Sequence, residues 1–337
     1  MLHFEAWKRL VILIVFLAGL LFALPNIVSI PFLPGKSINL GLDLRGGSHL
    51  LLRTDIDAVV SERLSDIAEG IRMSLREERV KFKSLSSDND TVSFVIRDSD
   101  DYSKRDNILK EFGNDFVVET NGDKTRIKFS ESGFFDLQSR TVEQAIEIIR
   151  RRLDPDGTKE PVIQRQGVDR ILVQVPGIDD PERVKALLGR TARLTFQLVD
   201  MRVTGAEAKS SGRVPPGSVL LESSANEGQY YVVEKRVMVS GDMLETASAG
   251  FDQNNSPAIN FSLNSIGAKK FATVTGNNIG RPFAIILDGL VVSAPTIRAQ
   301  IFANGQITGD FSIQESNDLA LVLRAGALPA PLTVLEE

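Results

Sequence analysis

Apolar residues fall along this chain in three textures: one unbroken run near the N-terminus, stretches with helical spacing, and short stretches with the period of a strand. Residues 10–35 carry no charged side chain and open LVILIVFLAGLLFAL. At about 1.5 Å of rise per residue, roughly 20 such residues span the hydrocarbon core of a bilayer. The run therefore predicts a transmembrane helix over 10–33. Lys8 and Arg9 precede it, which puts residues 1–9 in the cytoplasm and the bulk of the chain outside. A cleaved signal peptide is the rival, but Leu24 and Pro25 after Ala23 make a poor cleavage site.

Beyond this run, Ile56, Val59, Val60, Leu64, Ile67, Ile71 and Leu75 recur at spacings of three and four. They predict a helix over 54–80, capped by Asp55. A strand over 50–53 precedes it. Residues 81–85 and 91–97 read as paired strands, followed by a helix over 102–112 and a strand over 116–118. The order then repeats. Residues 125–129 form a strand and 136–153 a helix, with Leu137, Ala145, Ile148 and Ile149 inward. Residues 162–166 and 170–175 form a hairpin around Gly167. Asp180 and Pro181 open the next helix, Gly189 closes it, and 193–199 is a strand. Two successive strand–helix–strand–strand–helix–strand units predict an α+β architecture, a ferredoxin-like (βαββαβ) base that is duplicated, with two unrelated α/β lobes as the alternative.

From about residue 200 the texture changes. Residues 204–230 are rich in Gly, Ser, Ala and Pro and read as loop. Strands are expected at 232–239, 258–263, 283–287 and 290–293, with a helix at 265–274. Asp288-Gly289 is a strong two-residue hairpin signal. Ser312 and Glu315 form a capping box for a last helix, with Ile313, Leu319, Ala320 and Leu323 on its apolar face.

Composition narrows the function classes. The net charge of -5 argues against a nucleic-acid backbone as partner. Arg150, Arg151 and Arg152, the longest basic run, end a predicted helix, where cations suit the dipole. The absence of cysteine removes disulfides and thiolate chemistry. His3 and His49 are the two histidines, and neither has a histidine partner at helical spacing. Asp98, Asp100 and Asp101, and Asp179 and Asp180, fall at predicted helix starts and read as capping residues. No nucleophile–base set can be assembled, so an enzyme, a metal site or a cofactor site has little to be built from.

The sharpest local string is LGLDLRGG at 40–47. As a strand it puts Leu42 and Leu44 on one face and Asp43 and Arg45 on the other, before Gly46 and Gly47 permit a bend. Its pattern is neither a phosphate loop nor a dinucleotide fingerprint.

With Gly41, Asp43, Arg45, Gly46 and Gly47, this string resembles the first signature of the SecD family of protein-export membrane subunits. Further blocks follow in family order. Thr141 to Gln144 and Ile149 to Arg152 form one. Gln164 and Gly167 lie in the next, which runs on to Pro176 and Gly177. Arg281 and Pro282, Asp288 and Gly289, and the LRAGALPAP string with Arg324 and Gly326 complete the series. The resemblance implies a translocase subunit without catalytic residues or cofactor, working beside SecF, the SecYEG channel and a YajC-like subunit in the bacterial inner membrane. It implies a periplasmic base at 37–199, with 55–125 a variable insertion, completed by a return helix at 311–335. A head at 200–310 would hold unfolded preprotein and swing on a hinge near Leu198, Asp200, Gly309 and Phe311, driven by the proton-motive force. The family's proton-relay groups lie in later membrane segments, so none is assigned here. The alternative is the periplasmic part of a resistance–nodulation–division efflux transporter.

Overall fold

The computed structural model describes residues 6–23, 47–88, 90–110, 114–158, 160–176, 181–226 and 228–337. Helix α1 (Ala6–Ala23) leaves its apolar side chains from Leu10 to Leu17 exposed. Among the described residues no helix is long and apolar enough to cross a membrane. The expected span over 10–33 continues past Ala23 outside the described residues.

The first half of the chain follows in order: β1 (Gly47–Thr54), α2 (Ile56–Glu77), β2 (Phe82–Ser87), β3 (Val92–Ile96), α3 (Tyr102–Leu109), β4 (Phe116–Asn121), β5 (Lys124–Phe129), α4 (Glu131–Leu153), β6 (Val162–Gln166), β7 (Arg170–Pro176) and α5 (Pro181–Gly189). The second half holds β8 (Leu194–Leu198), α6 (Gly205–Ser211), β9 (Ser218–Glu222), β10 (Tyr230–Glu234), β11 (Val239–Ser240), β12 (Leu244–Phe251), β13 (Pro257–Leu263), α7 (Ser265–Asn277), β14 (Phe283–Leu287), β15 (Leu290–Ser293), β16 (Asn304–Thr308), α8 (Ile313–Ala325) and β17 (Leu332–Glu336).

Two antiparallel four-stranded sheets build the first body, in the orders β17-β1-β7-β6 and β2-β3-β5-β4. The spacing of α2 does what its pattern predicts: Ile56, Val60, Leu64, Ile67, Ile71 and Leu75 are buried, and Asp55 accepts the Ala58 amide at 3.1 Å. Helix α4 starts five residues before its apolar stripe becomes readable, because Ser130 caps it through the Gly133 amide at 3.0 Å. Val142, Ala145, Ile149 and Leu153 seat α4 in one core with α2, β1, β3, β7 and α5.

A second core begins at Leu194. Phe196 sits at its centre, with ring centroids 5.5, 5.6 and 5.9 Å from Phe261, Phe271 and Phe283. Its sheets run β11-β8-β14-β15 and β12-β13-β16. The β9–β10 hairpin covers the other side of β14 through Val233, Ala284, Ile286 and Val291. Every residue of β8 and four of the five in β14 are consequently buried, as in a strand packed on both faces.

Several expectations are corrected. The strand at 193–199 does not close the first body; its apolar residues pair with β14 and fill the second core. Its place in the first body is taken by β17, which follows Pro331. Residues 311–335 are therefore not one return helix. Leu319, Ala320 and Leu323 of α8 pack in the second core, and only Leu328 and β17 return to the first. Residues 204–230 contain α6 and β9 rather than loop alone, and β12, β16 and β17 were not legible. Strand β1 pairs with β7 and β17, so it does not join β2 and β3 in a first unit.

Candidate functional site

The signature residues that are described gather at four places. Gly41, Asp43, Arg45, Gly46 and Gly177 lie outside the described residues. Gly47 sits opposite Pro176 in the β1–β7 ladder, so the ends of two signature strings share one rim of the sheet. Gln164 is on β6, and Gly167 turns the β6–β7 hairpin at φ +75°. Arg165 closes that turn, donating to the carbonyls of Gly167 at 3.0 Å and Val168 at 3.2 Å and to Ser139 Oγ at 3.0 Å.

Arg281 and Pro282 hold the second body together. The Arg281 guanidinium donates to Glu234 at 2.7 Å and to Asn278 at 2.9 Å, and Pro282 accepts the Val199 amide at 3.1 Å. Nearby, Asp200 is buried and accepts from Arg202 and from Ser218 Oγ, at 2.6 Å each. The Arg202 guanidinium beside it holds the Asp200 carboxyl well below the usual carboxylate range. The Asp200 amide donates to Val232 at 2.8 Å. Leu198 pairs with Phe283 in the centre of a sheet, and Phe311 packs on the second core. A Cβ on Gly309 would meet Phe311 at 2.9 Å and Val292 at 3.4 Å. All four expected hinge residues are thus inside the second body and not between the two.

The chain crosses between the cores elsewhere. Leu188 is the last residue of the first core and Leu194 the first of the second; on the return, Leu323 is the last of the second and Leu328 belongs again to the first. The two crossings touch, since the Leu328 amide donates to the Thr191 carbonyl at 2.9 Å. Both are gripped by Arg152, which is 1% exposed at the end of α4. Its Nη1 donates to the Leu187 carbonyl at 2.9 Å and to that of Arg190. Its Nη2 donates to Thr191 and Gly326, at 3.1 Å each. Asp288, at the tip of the β14–β15 hairpin, holds the same stretch by its donors: the amides of Ala192 at 3.0 Å and Arg193 at 2.7 Å, and the Thr191 hydroxyl. Asp288 and Gly289 both have positive φ, +50° and +83°, as the predicted two-residue turn requires. Burial pushes the Arg152 guanidinium down to about 10, against the pull of Asp288. Signature residues from three separated strings, Arg152, Asp288 and Gly326, therefore meet at one neck.

By sequence, Arg152 groups with Arg150 and Arg151 as a dipole-facing cation. Those two are exposed and pair with Glu147, whereas Arg152 is not. The missed signal was periodic: Ala145, Ile149 and Arg152 share the buried stripe of α4. Among the capping expectations, Asp98 makes no side-chain cap bond and instead pairs with Lys81 at 3.3 Å. Asp179 and Asp180 lie outside the described residues.

The chain matches three family models: SecD/SecF GG motif over residues 32–55, SecDF P1 domain, N-terminal, over 142–201, and SecDF P1 head subdomain over 218–330. It is 36% identical over 382 residues to protein translocase subunit SecD of Rhodobacter capsulatus, covering 100% of this chain and 68% of that one. The chain belongs to the SecD family. SecD of Rickettsia conorii is 43% identical over 336 residues, covering 98% of this chain and 65% of the relative. SecD of Acetobacter pasteurianus is 43% identical over 349 residues, with 100% and 66% covered. This chain thus spans 65–66% of those two SecD relatives. Among solved structures, SecDF in a super-membrane-facing form aligns with a TM-score of 0.53 at 26% identity, over 98% of this chain and 34% of that one. The mixed α+β fold with several small sheets is that of the SecDF P1 region. In the SecD frame the outgoing neck crossing falls within the P1 N-terminal match and the return crossing within the head match.

Proposed function

We propose that this chain is the part of a Sec protein translocase subunit that grips unfolded preprotein on the outer side of the inner membrane and moves it by rotation of a head on a base. The observation that carries this reading is the neck. Two hydrophobic cores are joined by two short crossings that touch each other, a geometry that permits rigid-body rotation with few backbone changes. The hinge is then at residues 189–193 and 324–328, and the head starts at β8 and includes α8. The order β17-β1-β7-β6, with α4 and α5 as the helices, supports a ferredoxin-like base closed by the last strand of the chain.

The charge-free run at 10–33 anchors the base, with residues 1–9 in the cytoplasm. SecF, the SecYEG channel and a YajC-like subunit are the partners this reading requires, and the proton-motive force is the source of work. The chain acts here as a transport subunit, not as a catalyst. SecD relatives along the whole chain favour this reading over an efflux transporter.

The test uses the absence of native cysteine. Arg183 of α5 and Asp318 of α8 pair across the two bodies at 3.5 Å. Cysteines at both positions, bridged by a short bis-maleimide in the assembled translocase, should stop export of a secretory reporter. Either single cysteine treated alike should leave export intact. Full export through a completely bridged protein contradicts the reading.

A further inference from the structure

Strand β16 lies at the edge of the β12-β13-β16 sheet, with β15 of the other sheet close to it, and carries few of the sequence features by which edges are usually guarded. Its sequence, NGQIT, holds no charge and no proline, and its register with β13 shows no bulge. The opposite edge, β12, carries Glu245 and a register shift and has α8 packed against it. The orientation of the free backbone groups follows from one bond. The Leu263 amide donates to the Ala303 carbonyl at 2.8 Å, so these two residues form a hydrogen-bonded pair. Alternation then makes Phe261 with Gly305 and Ile259 with Ile307 the next such pairs. The backbone groups of Asn304, Gln306 and Thr308 face away from the sheet.

Two further features suit an extended chain. Phe302 is 66% exposed beside the start of β16, yet its backbone is pinned on both sides. The buried Thr275 hydroxyl accepts the Ile301 amide at 2.9 Å, Gln300 donates to the Ala272 carbonyl at 3.1 Å, and Ala303 holds Leu263. A large aromatic ring presented on fixed backbone loses little entropy when it is covered. The outer face of the sheet is a groove of about 560 Å³ lined by Thr246, Ser248, Asn260, Ser262, Asn304 and Gln306. Hydroxyls and amides both donate and accept, so this floor tolerates varied side chains.

We propose that β16 adds an extended segment of unfolded polypeptide to this sheet as a fourth strand, with Phe302 covering an apolar side chain at its end. Main-chain pairing supplies affinity without sequence preference, which is what passage of many different chains requires. The proposal rests on the polypeptide-handling reading above and names its site.

The full chain in detergent micelles should bind a fluorescent peptide of alternating valine and serine. An analogue N-methylated at alternate residues along one edge should bind about tenfold more weakly, the equivalent of one or two lost net hydrogen bonds. Gln306→Pro, which removes an outward amide, and Phe302→Ser should each weaken the unmethylated peptide while leaving the thermal transition cooperative. Equal affinity for both peptides on the wild-type chain overturns the proposal whether or not the variants fold. If neither peptide binds but a reduced and alkylated globular protein does, the site is elsewhere on the molecule and the handling reading survives. If that unfolded probe is not bound either, the handling reading falls as well.

Discussion

Arg152 and Asp288 hold the same stretch of backbone, Arg152 by its carbonyls and Asp288 by its amides. They come from different bodies: Arg152 ends α4 of the first core, and Asp288 tips the β14–β15 hairpin of the second. Between them they satisfy the carbonyls of Arg190 and Thr191, the amides of Ala192 and Arg193, and the Thr191 hydroxyl. Ala192, in the middle, has φ +57°, a conformation that a residue with a Cβ keeps only when its surroundings enforce it. In this arrangement the neck is thus held in a defined bend by one group from each body.

Removing the arginine should be costly. Arg152→Met retains the stem but removes this donor from the carbonyls of Leu187, Arg190 and Gly326, while Thr191 keeps the Leu328 amide, and it should destabilise the protein by about 2–4 kcal/mol. Arg152→Lys should recover part of this, since one ammonium reaches fewer carbonyls than a planar fork. Urea unfolding followed by circular dichroism reads both as shifts of midpoint. A loss below about 0.5 kcal/mol for Arg152→Met would mean the carbonyls are already served by water.

Removing the aspartate should loosen the neck without emptying a core. Asp288→Ala releases three donors that lie between Arg190 and Arg193, both exposed residues after which trypsin cuts. Cleavage there should rise about tenfold under native conditions, because local opening becomes easier by one to two net hydrogen bonds. Mass spectrometry of limited digests resolves the sites, with cleavage after the exposed Lys81 as internal control. Equal acceleration at Lys81 would point to general destabilisation instead.

Periodicity made the elements of the first body readable, because α2 and α4 each bury one stripe and cap with Asp55 and Ser130. It failed where a strand is not half-buried. Strand β8 is buried on both faces, so its run could be assigned to either body, and the choice depended on a partner, β14, that lies some 85–90 residues later in the chain. Strand β16 is short, polar and glycine-containing, with only Ile307 fully buried, which is the texture of a loop. The neck was invisible for a related reason. Arg152, Asp288 and Gly326 are far apart in sequence, and only the fold brings them to one place.

The Asp200 carboxylate should govern part of the acid stability of the second body. Its folded pKa is depressed below the ordinary value near 3.8, chiefly by hydrogen bonds from Arg202. A depressed carboxylate contributes stability that is present above the unfolded pKa and is lost as pH falls through the folded one. The stability difference between wild type and Asp200→Asn should stay level from about pH 7 to about pH 5 and shrink below about pH 4. Arg202 is 62% exposed, so solvent screening keeps the effect modest. Urea midpoints measured across that range give the comparison; a difference that grows on acidification would reverse the assignment.

Two helix-terminal glycines should respond oppositely to alanine. Gly205 opens α6 directly against the neighbouring strand, and a Cβ there would stand 1.7 Å from the Tyr230 carbonyl oxygen and 2.3 Å from its carbon. Backbone cannot step aside as a flexible side chain can, so α6 must lift off β10. Gly205→Ala should cost at least about 2–3 kcal/mol, at the upper end for overpacking. Gly189 closes α5 with nothing within 4 Å of the same position and no positive φ. Gly189→Ala should be neutral or stabilise by up to about 1 kcal/mol through helix propensity and the unfolded state. Thermal unfolding of the two variants side by side decides the matter. Equal effects would mean that α6 does not pack against β10 as closely as the Gly205–Tyr230 approach requires.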